Sequence, residues 1–135
     1  MNNIKTKTMG EVYRQVVHHW NKIISVIDDY LRIKPDIPLE DYFEYRDVSW
    51  GADGCVYCKI FICTGIDYDG SCVGCPIAIY SGYSACEGTP WEDVDSCIKF
   101  PLEKQARKFA IRMRDYILRA KPSDMDDIVL TMVIK

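Results

Sequence analysis

Two pairs of cysteines place the strongest constraint on how this chain can fold. Two residues separate Cys55 from Cys58, and two residues separate Cys72 from Cys75. Residues 59–71 lie between the two pairs. This spacing lets two tight turns bring four thiolates to one tetrahedral metal ion, and closed four-cysteine shells around Zn²⁺ are usually structural. The sequence therefore predicts a zinc-stapled hairpin with Cys55, Cys58, Cys72 and Cys75 as ligands.

The cysteines also allow other ligand sets and cofactors. Cys86 is an alternative ligand that could replace one of the four. Pro76 lacks the N–H that commonly donates to a zinc-bound sulfur, and a Cys-Pro step also occurs at iron–sulfur ligand runs. We favour Zn²⁺, with an iron–sulfur cluster and metal-free thiols or disulfides as alternatives. Cys63 and Cys97 have apolar neighbours and are expected to act as small core residues.

Length and composition indicate a single domain whose cysteines are in the reduced state. A chain of 135 residues with 48% hydrophobic and 27% charged residues is typical of a single globular domain, 1–135. It has no run of eighteen apolar residues, and its polar N-terminus lacks an apolar signal region, so we expect no membrane helix and no secretion. Seven cysteines without a secretion signal favour metal-bound thiols in a cytoplasmic protein over disulfides.

A long N-terminal helix is predicted before the cysteines. Thr8 and Glu11 fit a capping box, in which each side chain bonds the other residue's backbone N–H. Apolar residues spaced by three and four follow, and Pro35 stops the pattern. We therefore predict a helix from Met9 to about Arg32, within the segment 9–34.

Further helices are predicted around and after the cysteine-rich segment, 51–91. Residues 35–50 are expected to be irregular or to form a short helix near Leu39–Tyr45, and the apolar Pro76–Ser81 is a candidate for one helical turn. A second long helix is expected in the segment 93–121, starting near Asp93 or Pro101 and ending at Ala120. Its predicted apolar stripe consists of Leu102, Ala106, Phe109, Met113, Tyr116, Ile117 and Ala120.

The predicted fold class is α+β. The tail, 123–135, is rich in β-branched residues and predicts an edge strand, with a short helix capped by Ser123 as the alternative. Two long amphipathic helices must bury their apolar stripes, and each is the other's nearest surface. We therefore expect the two helices to pack together, with a small zinc-stapled knuckle and hairpin module between them.

The charge distribution argues against a nucleic-acid-binding finger. Between Ile60 and Ile98 the chain has no lysine or arginine. A zinc module that binds phosphates normally contains lysine and arginine side chains that contact them. Basic residues instead collect on the C-terminal helix. Nucleic-acid binding through that helix remains an alternative, disfavoured because no aromatic residue is interleaved on the basic arc. Its candidate residues are Lys104, Arg107, Lys108, Arg112 and Arg119.

Catalysis is not expected. The chain has no phosphate-binding glycine loop and no zinc-hydrolase or deaminase motif, and a zinc ion with four cysteines has no open position for water.

The adjacent His18 and His19 point about 100° apart on a helix and cannot share one ion, so we expect one exposed and one half-buried histidine. Binding to another protein is the preferred function, and the sequence does not specify the oligomeric state.

Aromatic residues accompany the acidic charge of the central segment. Mixed with carboxylates, they would suit a positively charged protein partner or mimic nucleic acid. The simpler interpretation is that most of them fill the core. The residues concerned are Tyr42, Phe43, Tyr45, Trp50, Tyr68, Tyr80, Tyr83 and Trp91.

The cysteine motifs resemble those of a family of small cysteine-rich proteins from phages and prophages. The resemblance is carried by C-V-Y-C at 55–58, C-V-G-C-P-I at 72–77 and C-E-G-T-P-W at 86–91. It covers about residues 10–120, with an N-terminal helix that carries a His-Trp pair and an amphipathic helix after the cysteines. Proteins of this pattern have no assigned activity. The resemblance therefore implies a compact, zinc-binding viral protein, with a host or viral protein as its binding partner, and no particular reaction.

Overall fold

A computed structural model describes residues 2–51, 56–57, 75–82, 89–100 and 102–134, with the backbone alone for 2–6 and 129–134. Most of these residues are helical, and two strands form one antiparallel ribbon, so the described part of the chain is more helical than the predicted α+β class. The elements are β1 (Asn2–Thr8), α1 (Met9–Ile33), α2 (Leu39–Tyr45), α3 (Pro76–Ser81), α4 (Trp91–Lys99), α5 (Glu103–Arg119) and β2 (Ile128–Ile134).

Helix α1 begins at the predicted capping box. The Glu11 backbone N–H donates to Thr8 Oγ1 at 3.1 Å, and the Thr8 N–H donates to Glu11 Oε1 at 3.4 Å. The helix ends at Ile33, and its C-cap, Lys34, has a left-handed φ of 53° and precedes Pro35. Both ends of α1 therefore follow from local sequence.

Replacing Thr8 with alanine should lower the free energy of unfolding by about 1 kcal/mol, because the Glu11 N–H then loses its partner. Thr8→Ser keeps the acceptor oxygen and is the matched control, expected to stay close to the wild type. Urea unfolding followed by far-UV circular dichroism measures the difference. Equal stability of the alanine and serine variants would show that this cap contributes nothing.

The core forms where α1, α4 and α5 meet. Helix α5 packs against both α1 and α4, which confirms the predicted pairing of the two long helices. The Tyr13 hydroxyl donates to the Leu118 carbonyl at 3.2 Å and joins the start of α1 to the end of α5. Fully or nearly fully buried side chains in these three helices include Val12, Val16, Ile23, Ile27, Val94, Ile98, Ala106, Ala110, Met113 and Ile117.

The segment 93–121 spans two helices, α4 and α5, so the predicted start of the long helix near Pro101 agrees with the structure and the alternative start near Asp93 is wrong. Phe100 is extended, with φ −104° and ψ 97°, because a residue before proline is pushed out of the helical region. The break places Leu102 outside the buried stripe, where its side chain is 51% exposed. The rest of the predicted stripe is buried or half-buried.

The two ends of the chain form the ribbon. β1 and β2 are antiparallel, in a register from Asn2 opposite Ile134 to Thr8 opposite Ile128, which confirms the strand alternative for the tail. The Gly10 N–H donates to the Met125 carbonyl at 2.8 Å. A Cβ on Gly10 would lie 3.1 Å from that same oxygen, so glycine allows the ribbon's base to sit against α1.

Candidate functional site

Two tryptophans join the ends of the cysteine-rich segment. Trp91 Nε1–H donates to the Trp50 carbonyl at 2.8 Å, across 41 positions of sequence. Trp50 Nε1–H donates in turn to Asp95 Oδ1, in α4, at 2.9 Å. We call Trp50, Trp91 and Asp95 the tryptophan clamp. It brings the start and the end of the cysteine-rich segment to one place on the helical body.

Helix α2 and Thr89 support the clamp. The Phe43 ring meets the Trp50 ring edge to face, with centroids 5.0 Å apart, and Phe43 is completely buried. The Trp91 backbone N–H donates to Thr89 Oγ1 at 3.3 Å, and Thr89 is itself buried. The clamp is thus tied into the core on the α2 side as well as to α4.

Cys75 is the one predicted metal ligand among the described residues. It is 3% exposed, belongs to the hydrophobic core and directly precedes α3, whose first residue is Pro76. Its carbonyl accepts the Ile79 N–H at 2.9 Å. The predicted ligands Cys55, Cys58 and Cys72, the substitute Cys86 and the core candidate Cys63 lie outside the described residues.

Within the described ranges, no three histidine, cysteine or carboxylate side chains are grouped in a way that could hold a metal ion. The predicted four-cysteine site consequently depends on residues beyond those ranges together with Cys75.

None of the described helices has both the length and the apolar character needed to cross a bilayer.

Cys97 is a core residue, as the sequence predicted. It is buried in α4 at 7% exposure. Burial raises the pKa of the Cys97 thiol, and the nearby Asp93 carboxylate raises it further. The neutral thiol is therefore favoured, and its contribution to stability is complete below the ordinary thiol pKa and declines as the pH rises through the raised value.

In the native protein, Cys97 should resist alkylation by iodoacetamide at mildly alkaline pH, because little thiolate forms and the sulfur is buried. In urea the same residue should react readily, which provides the internal control. Mass spectrometry of the peptide that contains Cys97 measures both. Rapid modification in the native state would mean that α4 opens or that the thiol is activated.

The basic residues of α5 fall into two groups. Arg107 forms an ion pair with Asp28 of α1, and Arg114 bonds Asn21 of α1 at 3.2 Å and its neighbour Asp115 at 3.4 Å. The other nucleic-acid candidates have exposed side chains and no ion pair with a described carboxylate; they are Lys104, Lys108, Arg112 and Arg119.

Aromatic rings are interleaved with the arginines on one side of α5, contrary to expectation. Arg112 Cζ lies 5.3 Å from the centroid of the Phe109 ring, and Arg119 Cζ lies 6.0 Å from that of Tyr116. The sequence pattern assigned both rings to the buried stripe. They lie half-buried at its margin, within reach of arginines three residues further along the helix.

Histidines and aromatic residues near α2 largely follow the sequence prediction. His18 is exposed and His19 is half-buried, lining a cleft of about 340 Å³ between α1 and α2. Tyr42 and Phe43 are buried, whereas Tyr45 is 77% exposed. Core filling is therefore the role of two of these three aromatic side chains.

Comparison with protein-family models, with curated proteins and with solved structures finds no match to this chain. The tryptophan clamp, Cys75 and the arginine-bearing side of α5 are accordingly the features from which a function can be argued.

Proposed function

We propose that this chain is a small viral protein of phage or archaeal-virus type, stapled by one structural zinc ion, that binds a host or viral protein in the host cytosol. In this proposal Cys55, Cys58, Cys72 and Cys75 hold the ion, and Cys86 is the substitute for one of them. A closed four-cysteine shell leaves no position for a reacting water, so the protein acts by binding and not by catalysis.

The tryptophan clamp is the observation that supports this proposal most strongly. Closing a loop of the chain costs conformational entropy, and here the helical body already holds Trp50 and Trp91, at the two ends of the segment, close together. A metal ion bound by cysteines of this segment then pays no further cost for bringing those ends together. Metal binding and folding are coupled in such modules, because the unfolded segment offers no preformed site.

Cys75 supplies a fixed starting point for the ion. A buried thiolate without compensation is costly, so a buried cysteine outside a disulfide is either protonated or bound to a metal. The helix that follows Cys75 packs on the body, with the Tyr80 and Tyr116 rings edge to face and centroids 5.1 Å apart. A ligand at Cys75 would thus be connected rigidly to α5.

Elemental mass spectrometry of the full chain, purified without added metal, tests the proposal. One zinc per chain and a colourless sample are expected, and a strong chelator should remove the ion and lower the melting temperature. A brown sample that contains iron would show that the cofactor is an iron–sulfur cluster and not zinc. A sample with neither metal would refute the central claim.

Two buried cysteines provide a matched pair of variants. Cys75→Ser should abolish stoichiometric zinc, whereas Cys97→Ser, at an equally buried site in α4, should retain it. Cys86→Ser decides between the ligand sets: retained zinc supports the two cysteine pairs, and lost zinc places Cys86 among the ligands. Circular dichroism of each variant confirms that the helices remain folded.

A further inference from the structure

We propose that one face of the protein, formed by α3 and α5, docks an acidic peptide segment that also carries apolar side chains. This α3–α5 face consists of Ile79, Tyr80, Phe109, Arg112, Tyr116 and Arg119. The inference rests on the proposed function, because it identifies the surface and the class of partner of the same interaction module.

The α5 part of the face is a continuous row of alternating rings and guanidinium groups. Residues 109, 112, 116 and 119 are spaced by three, four and three, so they share one side of the helix over about 15 Å. The Arg112 guanidinium lies over the Phe109 ring and the Arg119 guanidinium over the Tyr116 ring, both within cation–π distance. The Tyr80 ring extends the row onto α3.

The two arginines of this row differ from the other two in α5. Arg107 and Arg114 engage Asp28, Asn21 and Asp115, as described above, whereas Arg112 and Arg119 are exposed and have no ion pair with a described carboxylate. A guanidinium that lies over a ring keeps its in-plane N–H donors available, and this contact limits the side-chain freedom lost on binding. Such a group is prepared for a bidentate bond to a carboxylate.

Helix α3 adds an apolar component. Ile79 is 71% exposed and Tyr80 is 51% exposed, on a helix without any charged residue. Tyr80 connects this helix to the row, because its ring packs on Tyr116, and Ile79 is its neighbour in sequence. A partner that satisfies both halves of the face must therefore combine carboxylates with apolar side chains.

The composition of the face favours an acidic peptide over a nucleic acid. Asp115 lies between Arg112 and Arg119 along α5, and the chain has a net charge of −3, both of which oppose a dense polyanion. The arginines already cover one side of the Phe109 and Tyr116 rings, which reduces the area available for stacking bases. An exposed isoleucine has no counterpart on a phosphate backbone.

A random 12-residue peptide library selected on the zinc-loaded full chain tests the inference. Selected sequences should be enriched in Asp and Glu together with Leu, Ile or Phe. For a synthetic consensus peptide, the double variant R112E/R119E should weaken binding by about 10-fold or more, since it replaces attraction by repulsion at two contacts. The control R14E/K22E makes the same charge change at exposed positions on α1 and should bind normally.

The outcomes separate failure of this inference from failure of the proposed function. If the peptides bind R112E/R119E and R14E/K22E equally well, the peptide-binding site does not include the α3–α5 face. The proposed role in protein binding would still hold. A zinc-loaded sample that selects no peptide would overturn both the face and the interaction role, while the structural zinc stands. Salt-sensitive binding of a single-stranded oligothymidine, lost in R112E/R119E, would overturn the peptide in favour of nucleic acid.

Discussion

Replacing Phe43 with alanine is expected to lower the free energy of unfolding by about 3–5 kcal/mol. Phe43 is completely buried, so the substitution leaves a cavity that the surrounding helices fill only in part. It also removes the edge-to-face contact with Trp50, whose carbonyl and indole N–H both belong to the tryptophan clamp. The variant should therefore loosen the base of the cysteine-rich segment as well as the core.

Tyr45→Ala is the matched control for Phe43→Ala. It removes an aromatic ring from the same helix, but Tyr45 is 77% exposed, and its loss should change stability by about 0.5 kcal/mol or less. Urea unfolding measures both variants, and near-ultraviolet circular dichroism monitors the tryptophans. If the two substitutions proved equally mild, Phe43 would not be a core residue and the clamp would need no support from α2.

Ile117→Ala should lower the free energy of unfolding by about 2–5 kcal/mol, the range for truncating a fully buried Ile or Leu. Ile117 has no exposed surface and lies on the core side of α5. Next to it in sequence is Tyr116, whose ring contacts Arg119 and Tyr80 at the margin of the buried stripe. Loss of Ile117 is thus expected to destabilise the C-terminal turns of α5 that present the α3–α5 face.

The adjacent Leu118→Ala substitution controls for this effect. It removes a side chain of the same size from the next position, where 43% of the side chain is exposed, so a loss of about 1 kcal/mol or less is expected. The Leu118 carbonyl that accepts the Tyr13 hydroxyl is unaffected by the change. Thermal unfolding measures the stability of both variants. A larger loss of stability for Leu118→Ala than for Ile117→Ala would mean that the side of α5 that faces the core is assigned wrongly.

Local signals in the sequence were sufficient for α1. Its capping box, its apolar spacing and the proline after its end all act within a few residues, and they placed both boundaries within one residue. For residues 39–45 the sequence left an irregular segment and a short helix as alternatives, and the structure shows the helix, α2. Where the interactions that decide a structure are local, the sequence shows them directly.

Long-range pairing explains what the sequence did not reveal. β1, with the sequence N-N-I-K-T-K-T, has no strong strand pattern of its own, and its conformation comes from pairing with β2 at the other end of the chain. The tryptophan clamp likewise joins residues far apart in sequence. Neither contact leaves a periodic signal that a reading of one segment can detect.

The interleaved rings of α5 illustrate a different difficulty. Phe109 and Tyr116 fit the apolar stripe, and the pattern cannot distinguish its buried centre from its half-exposed margin. Only the placement of α1 and α4 against α5 decides which residues lie at the margin. The four-cysteine site remains a prediction, because Cys75 alone among its ligands lies within the described residues.

The pairing of β1 with β2 has a consequence for the order of folding. α1 forms contacts between residues close in sequence, whereas every rung of the ribbon joins opposite ends of the chain. Closing so long a loop is slow and is rewarded only after the helices have assembled. We therefore expect the ribbon to form last and to exchange its amide hydrogens well before the core of α1 and α5 does.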